Sequence, residues 1–391
     1  MKVFVLLSRV PYPLEKGDKL RAFHLLKELK KNNEIFLCCL HDQPELFLHT
    51  EKLKEICDHI QIIKLSKIRI YLQIFFTLFT NKPFQVAYFY QNSVQKKINK
   101  ILEDFEPEHI YCQLIRTAEY TKNYHNCPKT LDYQDALSKG MERREKDAPF
   151  YLRPIFRSEK KRLLEYENII FEYFDFKTII SAQDRDLIYH KDRRNISVVS
   201  NGIDTDYFNA IPSEKKYTLL FTGNMGYPPN IESVLFLVQF ILPELRKIMP
   251  SASLLIAGAN PTSKIKSLQC DYISVSGWME DIRDAYNQSK IFLAPMQIGT
   301  GLQNKLLEAM SMKLPCVTSS LANNALGAVH GDSILVAKTV DDYVKHIVEL
   351  TNRKEYFDKI ASAGRLFVKE NFSWQVNGTL LNNIIHNKTS V

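Results

Sequence analysis

Residues 298–319 read IGTGLQNKLLEAMSMKLPCVTS. Gly299 and Gly301 stand before a run of strong helix formers, and Pro315 closes that run ahead of a short apolar strand. Glycines at a helix entrance leave backbone N–H groups uncovered, and the helix dipole adds partial positive charge at the same point. The natural guest is an anion such as a phosphate. With a helix over Leu302–Met312, Gly301, Asn304, Lys305 and Glu308 share one face, while Leu302, Leu306, Ala309 and Met310 share the opposite one. An amide, a cation and a carboxylate then line up behind Gly299, Thr300 and Gly301. A nucleoside diphosphate requires that set: N–H donors for phosphate oxygens, a cation for charge, and an acceptor-only carboxylate for two ribose hydroxyls. The plainer alternative is a helix-surface pair between Lys305 and Glu308.

Outward from this stretch the same beat continues. YTLLFTG, SASLLIAGA, YISVSG, KIFLAP and PCVTS read as strands in the second half, with helices such as Ile231–Met249 between them. KVFVLLS, EIFLCCL, IQIIKL, HIYCQL, KTLDY and KTIISA read as strands in the first half. They lack clean in/out alternation, as parallel strands covered by helices on both faces do. Gly223 and Gly226, after the YTLLFT strand, either bring backbone close to a ligand or make a plain strand-to-helix turn. Gly17, between the first strand and first helix, has Lys16, Lys19 and Arg21 beside it. That loop reads as a phosphate or acceptor contact, or as a solvated basic turn.

A chain of 391 residues exceeds what one core usually supports, so two domains are expected. The seam is placed within Asn195–Phe208, with domains over 1–195 and 196–372. Both are read as doubly wound, Rossmann-like α/β units facing each other across a cleft. No apolar run reaches the length of a membrane span, and MKVFVLLSRV reads as a strand and not a leader. The seven cysteines show neither Cys-x-x-Cys pairs nor zinc spacing, which fits a reducing cytoplasm. Residues 1–194 hold 34 Lys/Arg against 27 Asp/Glu, nearly the whole net charge of +8. That basic half suggests a phosphorylated substrate or an anionic membrane; no element for reading nucleic acid accompanies it. Ser66–Phe79, rich in Ile, Leu and Phe behind Lys64, Lys67 and Arg69, reads either as an interfacial helix or as buried core.

VVSNGIDTDYF, LLFTGNMGYPPN, SGWMEDIRDAYNQSKIFLAPM and GTGLQNKLLEAMSMKLPCVTS, in that order, resemble the C-terminal domain of family 4 (group 1) retaining glycosyltransferases of the GT-B fold. RVPYPLEKGDKLRAFHLLKEL, LDYQDALSKGMERR and IISAQDRDLI are similar to an exopolysaccharide- and exosortase-associated bacterial subgroup. The resemblance implies a nucleotide-sugar donor bound by the second domain and a glycan or lipid-linked acceptor bound by the first. It implies a final helix, within 373–391, that crosses back to the first domain. It puts Met279 and its neighbours around the base, although Trp278 and Met279 read equally as packing residues. Three positions depart from the family pattern. Thr300 stands where a first Glu is usual, Asn224 and Asn230 stand roughly where an Arg and a Lys neutralise phosphates, and the loop that often carries a His offers Asp132, Gln134 and Asp135. Lys305, Asp132 and Asp135 are therefore the catalytic candidates. Gly223, Asn224, Met279, Gly299, Thr300, Gly301, Asn304 and Glu308 are the donor-binding ones, and Gly17, Lys19 and Arg21 those for acceptor or phosphate. No cofactor and no metal is expected, since helix ends and Lys305 supply positive charge. The expected location is cytoplasmic, with peripheral contact to the inner membrane face. An epimerase or hydrolase using the same donor site, or a non-catalytic binder, would share these features.

Overall fold

The computed structural model describes the chain except residues 15, 42–49, 299–300 and 389–391. It divides into two compact units, Met1–Gly202 with Trp374–Val391, and Ile203–Ser373. The boundary thus falls at residue 202 and not 195. The reason is a short strand, Ser197–Val198, which pairs with Phe176–Ile179 and so belongs to the first sheet.

The first unit holds seven parallel strands: β1 (Lys2–Leu7), β2 (Glu34–His41), β3 (His59–Lys64), β4 (His109–Gln113), β5 (Lys129–Asp132), β6 (Phe176–Ile179) and β7 (Ser197–Val198), in the order β3-β2-β1-β4-β5-β6-β7. The second holds six: β8 (Tyr217–Thr222), β9 (Leu254–Ala257), β10 (Ile273–Gly277), β11 (Ser289–Ala294), β12 (Cys316–Ser319) and β13 (Leu335–Ala337), in the order β10-β9-β8-β11-β12-β13. Both orders are doubly wound, reversing between β1 and β4 and between β8 and β11, where such sheets open a crevice at their strand C-termini. Central strands are buried on both faces, so β1, β8 and β9 read as near-continuous apolar runs, while β4 and β5 are buried throughout although they carry polar residues such as His109, Lys129 and Asp132. Edge strand β3 keeps an alternating exposed pattern. Every strand expected from the sequence is present. The three residues of β13 are too short to carry a pattern and were not foreseen.

The helix expected over 231–249 begins earlier and is interrupted. Pro228–Phe236 and Leu242–Ile248 flank a π-helical turn at Leu237–Ile241. Pro243 lacks the N–H for an ordinary helical bond, and the wider turn before it accommodates the loss.

The last helix, Trp374–Ile385, packs on the Gly17–Leu29 helix of the first unit. A Cβ on Gly378 would come within 2.3 Å of the Glu28 Cβ, so the two backbones approach as closely as glycine allows. Trp374 stacks on the His24 ring at 4.8 Å, and the Asn33 amide donates to Asn382 Oδ1 at 2.9 Å.

Candidate functional site

In the second unit a pocket of about 480 Å³ opens at the C-terminal ends of β8, β9 and β10, beside the β8/β11 switch point. Gly223 follows β8 and Gly258 follows β9, both with positive φ, at 152° and 134°. A Cβ on Gly258 would lie 2.0 Å from the Gly223 carbonyl oxygen, so only glycine lets these two turns close together. Asn224 stabilises its own turn by accepting from the Gly226 N–H at 2.9 Å.

The opposite wall is the Asn304–Ser311 helix, shorter than expected because Gln303 is extended and serves as its N-cap. Gly301 therefore precedes the helix and lies outside its face. It is exposed, and its carbonyl accepts from Gln303 Nε2 at 2.8 Å. Gly299 and Thr300 fall outside the described residues. Among the described residues no side chain caps the first turn, whose backbone donors are next to the pocket residues Asn304 and Lys305.

Lys305 and Glu308 both line the pocket, and neither bonds to the other. Lys305 Nζ donates to Asn230 Oδ1, rests 3.8 Å from the Met296 sulfur and stands 4.6 Å over the Phe221 ring. Burial lowers its value to about 8, against the pull of nearby Glu308. Asn230 is itself buried, with its amide donating to the Asn224 carbonyl at 2.9 Å. Glu308 Oε2 accepts a 2.7 Å hydrogen bond from the fully buried Tyr286 hydroxyl, which also lies 2.8 Å from Thr222 Oγ1. Burial raises the Glu308 carboxyl above the ordinary carboxylate range. The surface pair is thus replaced by two charges, each anchored to a neutral partner.

Met279 lines the pocket and packs partly against the core, whereas Trp278 lines it while 72% exposed. Trp278 is therefore not a packing residue. Its ring offers a free face to a planar group. The sequence reading missed Gly258 and Tyr286. Gly258 carried a signal, because it follows β9 as Gly223 follows β8; Tyr286 carried none beyond being a tyrosine in a helix.

In the first unit two candidates are corrected. Arg21 and Asp132 are fully buried and joined by a two-point ion pair, Nε to Oδ2 at 2.8 Å and Nη2 to Oδ1 at 3.1 Å. Tyr111 and Thr178 hydroxyls complete the Asp132 shell at 2.9 Å each. Asp132 is the last residue of β5 and not a loop carboxylate, so it is no catalytic group, and Arg21 faces the core and not a ligand. Asp135 reaches the surface, where the surrounding protein and neighbouring Asp184 raise its carboxyl. Gly17 is exposed at the start of its helix and Lys19 is part-buried; Asp18 between them pairs with Arg9 at 2.8 Å. Burial and the nearby Arg9 and Arg144 lower Arg116, while Asp18 and Asp135 oppose the shift. The loops after β1, β4 and β5 therefore gather Arg9, Arg116 and Asp135 at the first sheet's C-terminal end, a cluster the sequence reading did not name. Among the described residues Glu172, His190 and Asp192 could approach one ion, but the His190 ring already bonds Glu172 Oε1 at 2.9 Å and the Asp192 N–H at 3.0 Å.

Residues 216–353 match the model of the family described as glycosyl transferases group 1. An uncharacterized 44.6 kDa protein in the cps region of Klebsiella pneumoniae is 24% identical over 95% of this chain and 96% of its own length. An Escherichia coli UDP-Gal:alpha-D-GlcNAc-diphosphoundecaprenol alpha-1,3-galactosyltransferase is 24% identical over 42% of this chain and 47% of its own. The crystal structure of Anabaena Alr3699/HepE in complex with UDP superposes with a TM-score of 0.67 over 99% of this chain and 100% of that one, at 12% identity. The fold is GT-B, and the chain is a glycosyltransferase with a group 1 domain over residues 216–353.

Proposed function

We propose that this glycosyltransferase moves a sugar from a uridine diphosphate donor to a hydroxyl of a lipid-linked saccharide in bacterial surface-glycan assembly, with retention at the anomeric carbon. The observation that carries the reading is the pair Lys305 and Glu308, held apart in one pocket by Asn230 and Tyr286. In that pocket Glu308 accepts from the two ribose hydroxyls, Trp278 and Met279 flank the base, and Lys305 with the first-turn amides takes the diphosphate. The bond between the anomeric carbon and the diphosphate oxygen breaks, with its electron pair leaving on the diphosphate. The acceptor oxygen bonds to the same face of that carbon, and its proton passes to the departing phosphate oxygen. Lys305 and the helix entrance meet the charge that grows on the leaving group, without a metal or cofactor. The names of the relatives support the substrate classes: UDP in one structure, UDP-Gal and a diphosphoundecaprenol-linked sugar in one enzyme, a cps region for another protein. Arg116, whose guanidinium donates to the neutral Gln85 Oε1 at 3.1 and 2.7 Å, would take an acceptor diphosphate in the first unit.

The test is a thermal-shift screen of nucleoside diphosphates, then sugar release with and without lipid-diphosphate saccharides. At 100 times its Kd, UDP should stabilise the second unit by about 2.7 kcal/mol. Sugar release that proceeds equally without any acceptor would identify a hydrolase instead.

A further inference from the structure

We infer that the outward faces of the Lys67–Thr77 helix and of the helical hairpin tip near residues 148–157 form a docking surface for an anionic lipid bilayer. On the helix, Ile68, Tyr71, Leu72, Phe75 and Phe76 recur at helical spacing and are all exposed, Ile68 by 74% and Tyr71 by 72%; Phe79 just beyond is 76% exposed. Only Ile70 and Thr77 of this helix are buried. Its most apolar stripe therefore points to solvent, the reverse of a helix that serves its own core.

The hairpin joins Leu137–Asp147 to Arg153–Phe171, and at its turn Phe150 is 82% exposed, with Tyr151 and Ile155 exposed beside it. It is clamped to the first element. Arg162 Nη1 donates to the Thr77 carbonyl at 2.6 Å and the Lys82 carbonyl at 3.0 Å, and Glu159 accepts from the Phe84 and Gln85 N–H groups at 2.8 and 3.0 Å. Ile155 lies on the same helical stripe as Glu159 and Arg162, one turn nearer the tip.

Charge selects the occupant. From His59 to Leu102 the chain has seven Lys/Arg and no Asp or Glu, and from Lys139 to Arg162 it has nine against four. The two stretches carry +12 together, against +8 for all 391 residues, so the rest of the chain is net acidic. Lys64, Lys67, Arg69, Lys96 and Lys97 are exposed. An opening of about 480 Å³ beside the helix is lined by Arg69 and Lys96 together with Leu72 and Phe76, cations and apolar side chains that suit a phosphate headgroup and its chains. Protein interfaces are depleted in lysine at their centres, whereas helices lying in a bilayer interface pair aromatic and aliphatic side chains with Lys and Arg at the headgroups. No helix among the described residues is long and apolar enough to cross a membrane, so the contact is peripheral. The inference does not depend on the donor chemistry.

The experiment is co-sedimentation of the full chain with phosphatidylcholine vesicles, with and without phosphatidylglycerol, at low and raised salt. Binding at least about tenfold tighter to the anionic vesicles, released by salt, is expected. Two variants separate the contributions: Phe75→Ser with Phe76→Ser and Phe79→Ser, and Lys64→Gln with Lys67→Gln and Arg69→Gln. Each alters exposed side chains only, so thermal unfolding followed by circular dichroism should stay unchanged while anionic-vesicle binding falls about tenfold or more. No binding at low salt, equal binding to neutral vesicles, or an aromatic variant that binds as well as the parent would overturn the proposal. Concentration-dependent dimerisation in sedimentation velocity, abolished by the aromatic variant, would instead assign the face to a second copy.

Discussion

Each unit of this chain buries a cation beside a carboxylate, and the two arrangements are opposites. In the first, Arg21 and Asp132 are bonded to each other at two points, and Tyr111, Thr178 and Asn201 use their remaining capacity. In the second, Lys305 and Glu308 sit three residues apart on one helix, yet each is bonded to a neutral group and both line a pocket. A charge neutralised by a partner charge has little left for a ligand. A charge steadied by a neutral amide or hydroxyl keeps its field for whatever enters the pocket. Asn230 makes this arrangement work, since a cation in its place would repel Lys305 where its carboxamide oxygen accepts from it.

The largest expected effect comes from breaking the closed pair. Asp132→Ala leaves Arg21 buried without its counter-charge, a change that typically costs ~3–5 kcal/mol. Chemical denaturation should show that loss. Nucleoside diphosphate affinity of any protein that remains folded should not change, and a folded, stable variant with a selective donor defect would reverse the assignment of roles.

Opening the second arrangement should do the reverse. Lys305→Ala is expected to leave the fold intact and lower turnover by about 10²–10³, with kcat falling as much as kcat/KM because the interaction is made chiefly as leaving-group charge develops. Lys305→Met keeps much of the stem and should be equally inactive. Turnover within about fivefold of the parent would shift the leaving group's charge onto the helix amides alone.

These two pairs also mark how far the sequence could be read. The helix with Asn304, Lys305 and Glu308 was legible because its spacing is local: residues three and four apart share a face whatever the rest of the chain does. The strands were legible for the same reason, as short and mostly apolar runs, three of which (β8, β9 and β10) end at a glycine. Asp132 was misread because LDYQD carries no mark of the Arg21 that meets it from 111 residues away, and burial is decided by that meeting. The bond between Lys305 and Asn230 spans 75 residues and was invisible for the same reason. Ser66–Phe79 shows the limit of periodicity. The pattern tells that one face is apolar, and only the packed neighbours tell that this face looks outward.

A smaller effect is expected at the carboxylate. Glu308→Ala should weaken binding of the bare nucleoside diphosphate by roughly 1.5–3 kcal/mol, the worth of hydrogen bonds from ribose hydroxyls to an ionised acceptor. Calorimetric titration measures this directly. Because the 2′- and 3′-hydroxyls are the proposed donors, the parent's advantage for UDP over its 2′,3′-dideoxy analogue should vanish in the variant. A variant that still discriminates between them would place Glu308 away from the ribose.

The smallest effect is a pH dependence that belongs to one arrangement and not the other. In the free protein burial brings Lys305 down from an ordinary 10.5 to about 8, whereas a bound diphosphate favours its charged form and raises it again. Binding therefore takes up a proton wherever the free lysine has begun to lose one. UDP carries the full charge of the leaving group, so its affinity should be level below about pH 8 and then fall toward a limit of about tenfold per pH unit above it, until the bound-state value is passed. The sign follows from the direction of the shift: a lysine raised by its ligand binds that ligand best when protonated. Arg21 stays charged throughout this range, so no such slope should arise from the first unit. UDP titrations between about pH 7 and 9 in the parent and in Lys305→Met isolate the term, since the methionine variant should bind more weakly at pH 7 and lose the slope. A slope that persists in Lys305→Met would assign the titration to another group and remove Lys305 from the diphosphate.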